Sequence, residues 1–185
     1  MPPSRRIVNS TYLSLDGVNA NPQDWPSGRH EDDGQGLQLQ GELLQRSEVL
    51  LMGRGTYEGF APVWSEKSGD PFSDKFNSME KWVASTTMNQ AEWNRTEVIG
   101  GDAVEAVRAR KEDAGGDIVQ YGFGELAHSL MAAGLIDELR LWVHPFFVGE
   151  ATAADLIFRR APQTTFDLVA ATPLASGIVV LTYER

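Results

Sequence analysis

The sequence has no cysteine among its 185 residues. Disulfides, thiolate zinc sites and cysteine nucleophiles are excluded together. Histidine is scarce: His30, His128 and His144 stand far apart, without the spacing of metal ligands, and no metal site is expected. Positive charge is also short. Sixteen Lys and Arg face 26 Asp and Glu, for a formal net charge of −10. A nucleic-acid binder needs a basic face to offset phosphate repulsion. The basic clusters here are Arg5-Arg6, Arg108 with Arg110-Lys111, and Arg159-Arg160. They read as solvated surface, and no nucleic-acid partner is expected. No apolar run is long enough to span a bilayer. The opening Met1 to Arg6 leads directly into strand-like sequence without the apolar stretch of a signal peptide, so a cytoplasmic chain is expected. Neither G-x-S-x-G nor a Walker A pattern occurs.

What is present is an ordinary globular composition, with 42% hydrophobic and 23% charged residues. Strands are predicted at Ile7 to Leu15, Val49 to Met52, Trp82 to Ala84, Glu97 to Ile99 and Asp117 to Tyr121. Further strands are predicted around Leu139 to Val143, at Phe166 to Ala170 and at Ile178 to Tyr183, the last two joined by a hairpin over Pro173 to Gly177. Helices are predicted from Leu37 to Arg46, from Thr56 to Phe60, after the N-cap Asp102 to Lys111, and after Gly124 until Gly134. Residues 61 to 80, punctuated by Pro62, Gly69 and Pro71, read as irregular. The first two thirds alternate strand and helix, which implies parallel pairing, and the last third reads as antiparallel. The expected fold class is α/β, one domain over 1 to 185, with a mixed sheet, helices on its faces and antiparallel C-terminal strands.

Three strand ends meet helix starts through glycine: Gly53-Arg54-Gly55, Gly100-Gly101 and Gly122-Phe123-Gly124. Free N–H groups and a partial positive charge at a helix start attract phosphate, and glycine lets it approach. Gly100-Gly101 reads as structural. Gly122-Phe123-Gly124-Glu125-Leu126-Ala127 fits G-x-G-x-x-A. A Rossmann fingerprint should open the first βαβ unit, however, and here only antiparallel strands follow. Arg54 can bind phosphate with paired hydrogen bonds or sit in a surface salt bridge. Ser85-Thr86-Thr87 supplies hydroxyl donors, or merely strand propensity and a cap. A cation with hydroxyls and no carboxylate favours a 2′-phosphate, hence NADPH over NADH. Asp16 lies at the end of the first strand. It either points into the crevice, where it could handle a proton, or bonds its own backbone as a turn residue. Glu31, Asp32 and Asp33 are rival acids on the following loop. Trp25 is a lid over a flat ring or a satellite core residue.

At these residues the chain resembles the reductase domain of bacterial riboflavin biosynthesis, within the dihydrofolate-reductase-like superfamily. The matching pieces are Ser14-Leu15-Asp16-Gly17, Leu51 to Glu58, Asp70-Pro71-Phe72, Lys81 to Ser85, Gly122 to Leu126 and Gly134 to Leu139. The resemblance implies a dihydrofolate-reductase-like mixed sheet of about eight strands, NADPH as cofactor, a flat pyrimidine- or pterin-like heterocycle as substrate, and a homodimer. Carried over, Gly53, Arg54, Thr56, Ser85, Thr86 and Thr87 face the adenosine phosphate region. Gly122, Phe123, Gly124 and Glu125 cover the pyrophosphate, and Asp16 lies near nicotinamide and substrate. Gly149-Glu150-Ala151 stands where the family has Gly-x-Gly, and Glu80 where it often has proline. The zinc deaminase that accompanies this reductase in bifunctional enzymes needs cysteines, and none is present. An NADPH-dependent reductase is the first expectation. A nucleotide-binding sensor or interaction protein that keeps the pocket without the chemistry is the second.

Overall fold

The computed structural model describes residues 4–26, 34–157 and 163–185. Glu31, Asp32, Asp33, His30 and Arg159-Arg160 lie outside these ranges. Eight strands form one sheet: β1 (Ile7–Ser14), β2 (Ser47–Gly53), β3 (Glu80–Ala84), β4 (Thr96–Ile99), β5 (Asp117–Tyr121), β6 (Glu138–His144), β7 (Asp167–Pro173) and β8 (Val179–Glu184). Their order is β4-β3-β2-β5-β1-β6-β8-β7. The first six in that order are all parallel. β8 runs antiparallel to both β6 and β7.

Five α-helices connect the strands: α1 (Gln35–Arg46), α2 (Arg54–Trp64), α3 (Pro71–Ser78), α4 (Ala103–Lys111) and α5 (Glu125–Ala132). β2 and β5 carry continuous apolar stretches, Val49 to Met52 and Ile118-Val119, because both their faces are covered. Val8, Leu50, Met52 and Val83 pack with Leu43 and Leu44 of α1, Tyr57 of α2 and Phe76 of α3. Ile7, Val49, Leu51 and Ile118 pack on the other face with Val107 of α4 and with Ala127 and Leu130 of α5. Helices therefore cover both faces of a mixed sheet, as expected.

The irregular reading of 61 to 80 is corrected. α2 continues through Pro62 to Trp64, and α3 occupies Pro71–Ser78. Asp70 caps α3 by accepting from the Phe72 and Ser73 amides at 3.0 and 3.1 Å. Pro71 takes a first-turn position, where its missing N–H costs nothing.

Two buried charges stand out. Glu138, 2% exposed, accepts from Arg46 at 2.7 Å and Arg140 at 2.5 Å, with Arg6 at 3.3 Å. Burial alone would raise its pKa, but these guanidinium groups outweigh it and hold it below the ordinary value. Lys81 is fully buried on β3. Its Nζ donates to the Met79 carbonyl at 2.9 Å and lies 4.6 Å from the Trp93 ring centroid. Burial, aided by Arg95, pulls its pKa down to about 8.

Candidate functional site

The parallel strands bring their C-terminal ends to one edge of the sheet. There β2 and β5 are neighbours, and the chain leaves them in opposite directions. α2 follows β2 onto one face, and α5 follows β5 onto the other. Such a divergence opens a crevice at the strand ends, the usual ligand position in open α/β sheets. Gly53-Arg54 and Gly122-Phe123-Gly124 flank it. Two glycine turns read separately in the sequence thus become two sides of one feature.

Gly122 has φ 76°, a left-handed conformation that favours glycine. Its carbonyl accepts from the Asn9 side chain at 2.8 Å. A Cβ added at Gly55, Gly122 or Gly124 would meet nothing within 4 Å. These glycines leave open space beside two helix starts, which fits the approach of a phosphate. Phe123 turns its own side chain into the core, where its ring packs edge-on against His128 at 4.9 Å. Only its backbone can face a ligand. His128 is buried beneath that ring, and burial lowers its pKa.

Arg54 is the first residue of α2, with its side chain 53% exposed. Its Nη1 donates to the Thr87 hydroxyl at 2.7 Å and its Nε to Glu58 at 2.6 Å. The salt-bridge reading and the proximity to the Ser-Thr-Thr turn are therefore both realised. Ser85 holds that turn by accepting from the Thr87 and Met88 amides at 3.2 and 3.0 Å. Thr86 is exposed beside it, and Thr56 is half-buried in the first turn of α2. Glu125 is exposed at the start of α5.

Asp16 follows β1, beside β5 in the sheet. It bonds a distant loop, not its own backbone alone. Its carboxylate accepts from Ser14 Oγ at 2.6 Å, the Gly149 amide at 2.9 Å and the Val148 amide at 3.2 Å. The Ser14 hydroxyl foremost, and then the Gly149 amide, hold its pKa down to about 2. A carboxylate so ionised has no proton to give at neutral pH. Gly149 itself is left-handed, with φ 83°. Trp25 packs edge-on against His144 and Phe146, each at 5.3 Å, and donates from Nε1 to the Ala20 carbonyl at 3.1 Å. This is an aromatic cluster at the ends of β1 and β6.

Sequence reading missed the polar residues that buttress these turns. Asn9, fully buried, donates to Gln120 at 2.9 Å as well as to Gly122, and Thr11 donates to Asn9 at 2.8 Å. Asn19 donates to the Phe123 carbonyl at 2.9 Å. A clue was available at Asn9, because an asparagine at the centre of a buried strand needs partners. Gly100-Gly101 follows β4 and leads into the Asp102 cap of α4, consistent with a structural role.

A cavity of about 190 Å³ lies at the opposite edge, among Arg5, Glu48, Lys75, Glu80 and Arg95. It mixes charges of both signs and lies away from the C-terminal strand ends that host ligands in such sheets. Among the described residues no cluster of three His, Asp or Glu is placed to hold a metal, and no helix is long and apolar enough to cross a membrane.

This sheet order, with helices on both faces and an antiparallel C-terminal hairpin, defines a dihydrofolate-reductase-like α/β protein. The chain belongs to the RibD C-terminal domain family, whose model matches residues 5–180. It is 26% identical to Bacillus subtilis YyaP over 97% of this chain and 95% of that protein. Among solved structures it is similar to a pyrimidine reductase-like protein from Corynebacterium diphtheriae, with TM-score 0.66, 13% identity and coverage of 97% and 91%. Enterococcus faecalis dihydrofolate reductase, complexed with NADP(H), aligns with TM-score 0.64 and 18% identity over 100% of this chain and 99% of that one. Family membership supports a reductase-type function.

Proposed function

We propose that the protein is an NADPH-dependent reductase acting on a flat pyrimidine- or pterin-like heterocycle. The observation that carries this reading is the Arg54–Thr87 hydrogen bond, which gathers a cation and a hydroxyl beside the open glycine turns. Arg54, Thr87, Ser85 and Thr86 hold the adenosine 2′-phosphate. Gly53 and Thr56 line the same side. The backbone N–H groups of Gly122, Phe123, Gly124 and Glu125 hold the pyrophosphate at the start of α5. NADPH, when bound, supplies the hydride. Asp16 acts as a positioning residue that fixes the Val148-Gly149 loop at the mouth of the site, and Trp25 closes the same end with its aromatic neighbours.

A second reading is favoured by Gly149-Glu150-Ala151, which stands where the family has Gly-x-Gly: a nucleotide-binding protein without the reductase chemistry. Thermal shift with NADPH and NADH tests the cofactor. Ligand at a hundred times Kd stabilises by about 2.7 kcal/mol. Absence of a shift with either nucleotide overturns both readings. Steady NADPH oxidation in the presence of a reduced-pterin precursor or an aminopyrimidine separates enzyme from binder.

A further inference from the structure

Two consecutive carbonyls of the β5–α5 turn are held by side chains from the start of the chain. The Gly122 carbonyl accepts from Asn9 Nδ2 at 2.8 Å, and the Phe123 carbonyl accepts from Asn19 Nδ2 at 2.9 Å. Both peptide groups are trans. In a trans peptide the C=O and the following N–H point in opposite directions. Asn9 therefore turns the Phe123 N–H away from the buried strand, and Asn19 turns the Gly124 N–H away from the loop that follows β1. Among the described residues, neither N–H donates to a protein group. Both adjoin glycines, Gly122 and Gly124, where an added Cβ would meet nothing within 4 Å.

The two clamps are themselves fixed. Asn9 is fully buried, and its amide orientation is unambiguous because the Gly122 carbonyl can only accept. Its second N–H goes to Gln120 Oε1 at 2.9 Å, and its Oδ1 accepts from Thr11 at 2.8 Å. Rotating it would break buried hydrogen bonds. Asn19 is held through its backbone. Its N–H donates to the Asp155 carbonyl at 2.9 Å, and the preceding Val18 bridges Leu156. The core alone does not call for an asparagine at position 9, where an apolar side chain would be buried without needing three partners.

We propose that Asn9 and Asn19 are positioning residues that aim the Phe123 and Gly124 N–H groups at the pyrophosphate of the dinucleotide. The inference rests on the reading that the crevice holds NADPH, and it identifies what presets the anion-binding turn. Each asparagine acts through one peptide group and not by contact with the ligand. Peptide planes beside glycine flip readily, because glycine adopts either sign of φ. Donors aimed before the ligand arrives need no reordering when it binds. The chain carries a net −10, so its overall field opposes an anion and leaves the attraction to such local groups.

Calorimetric titration of the full chain with NADPH and with adenosine 2′-monophosphate tests it. The second probe carries the 2′-phosphate and no 5′-phosphate, so it engages the Arg54 side without reaching the β5–α5 turn. Asn19→Ala, at a half-buried loop position, is expected to weaken NADPH about tenfold, the lower end for a hydrogen bond to a charged group, and to leave adenosine 2′-monophosphate unchanged. Amide spectra separate aim from general damage. In the wild type, NADPH should move the Phe123 and Gly124 amide protons downfield. Asn19→Ala should suppress the Gly124 shift and keep that of Phe123, and Asn9→Ser, too short to reach the Gly122 carbonyl, should reverse the pattern. Should the core variant fold poorly, Asn19→Ala decides. NADPH affinity equal in wild type and Asn19→Ala overturns the inference and leaves the cofactor reading standing. Equal losses for both probes also overturn it, because they mark damage to the fold. A wild type that does not bind NADPH overturns the cofactor reading and this inference together.

Discussion

The guanidinium of Arg54 and the hydroxyl of Thr87 meet at 2.7 Å across the ends of two adjacent strands. Replacing Arg54 by alanine removes a charge-assisted donor, a change of about 1.5–3 kcal/mol. NADPH affinity is expected to fall ~10- to 100-fold while NADH affinity stays level. Glu58 shares the same guanidinium at 2.6 Å and sets a negative charge beside the proposed phosphate position. Glu58→Gln keeps an acceptor and removes that charge, so NADPH is expected to bind a few-fold tighter. Calorimetric titration of both nucleotides checks each variant, and equal losses for both nucleotides in Arg54→Ala would remove the assigned role.

Asp16 clamps the loop at Val148 and Gly149, and its folded pKa of about 2 lies below the ordinary 3.8. A depressed carboxyl pKa contributes stability that is present above the unfolded value and lost as pH falls through the folded one. The wild type is therefore expected to weaken locally between pH 4 and 2. Asp16→Asn should flatten that dependence and speed amide exchange at Val148 and Gly149 at neutral pH. Exchange rates unchanged by the substitution would sink the clamp.

Lys81 gives a slope of the same sign in an alkaline window, but here the shift reflects a cost of burying the charge. Its folded pKa of about 8 lies below the ordinary 10.5, so the unfolded chain holds more protons between those values. Stability should rise with pH across that window. The rise is at most about 3 kcal/mol, since each tenfold difference in proton affinity between the folded and unfolded chain is worth ~1.4 kcal/mol. Lys81→Met should abolish it. Urea unfolding at neutral and alkaline pH measures the difference.

Glu138 pairs with three arginines inside the fold. Glu138→Gln leaves Arg140 without its counter-ion, while Arg6 keeps Glu184 and Arg46 keeps Asp117, at a cost of about 3 kcal/mol. Because its folded pKa is lowered, the wild-type contribution is full above the ordinary value of 4.5 and is lost as pH falls below it. A drop in Tm at neutral pH that narrows in acid is the expected signature.

Local signals carried far in this chain. The strand over Asp117 to Tyr121, the Asp102 cap and the hairpin at Pro173 to Gly177 emerge where short-range patterning places them. α3 does not, although Asp70-Pro71 is a sound helix start. The prolines and glycine around it weigh as breakers when their position within a turn is not considered. The site is legible only in pieces. Arg54 and Thr87 are visible as residue types, but their meeting depends on the parallel pairing of β2 with β3. The bond from Gly149 to Asp16 spans 133 residues, and no periodicity encodes such a distance. The interior order of the sheet, with β5 inserted between β2 and β1, is set by packing of the whole chain.

That insertion has a consequence for how the protein assembles. The crevice exists only once Ser47–Gly53 has paired with Asp117–Tyr121, segments separated by two strands and three helices of intervening chain. Such long-range pairing is entropically late in folding. A nucleotide seated there would recognise completed sheets and not nascent ones. Occupancy would then report, molecule by molecule, that the central pair has closed, and would hold together the part of the fold that is slowest to form.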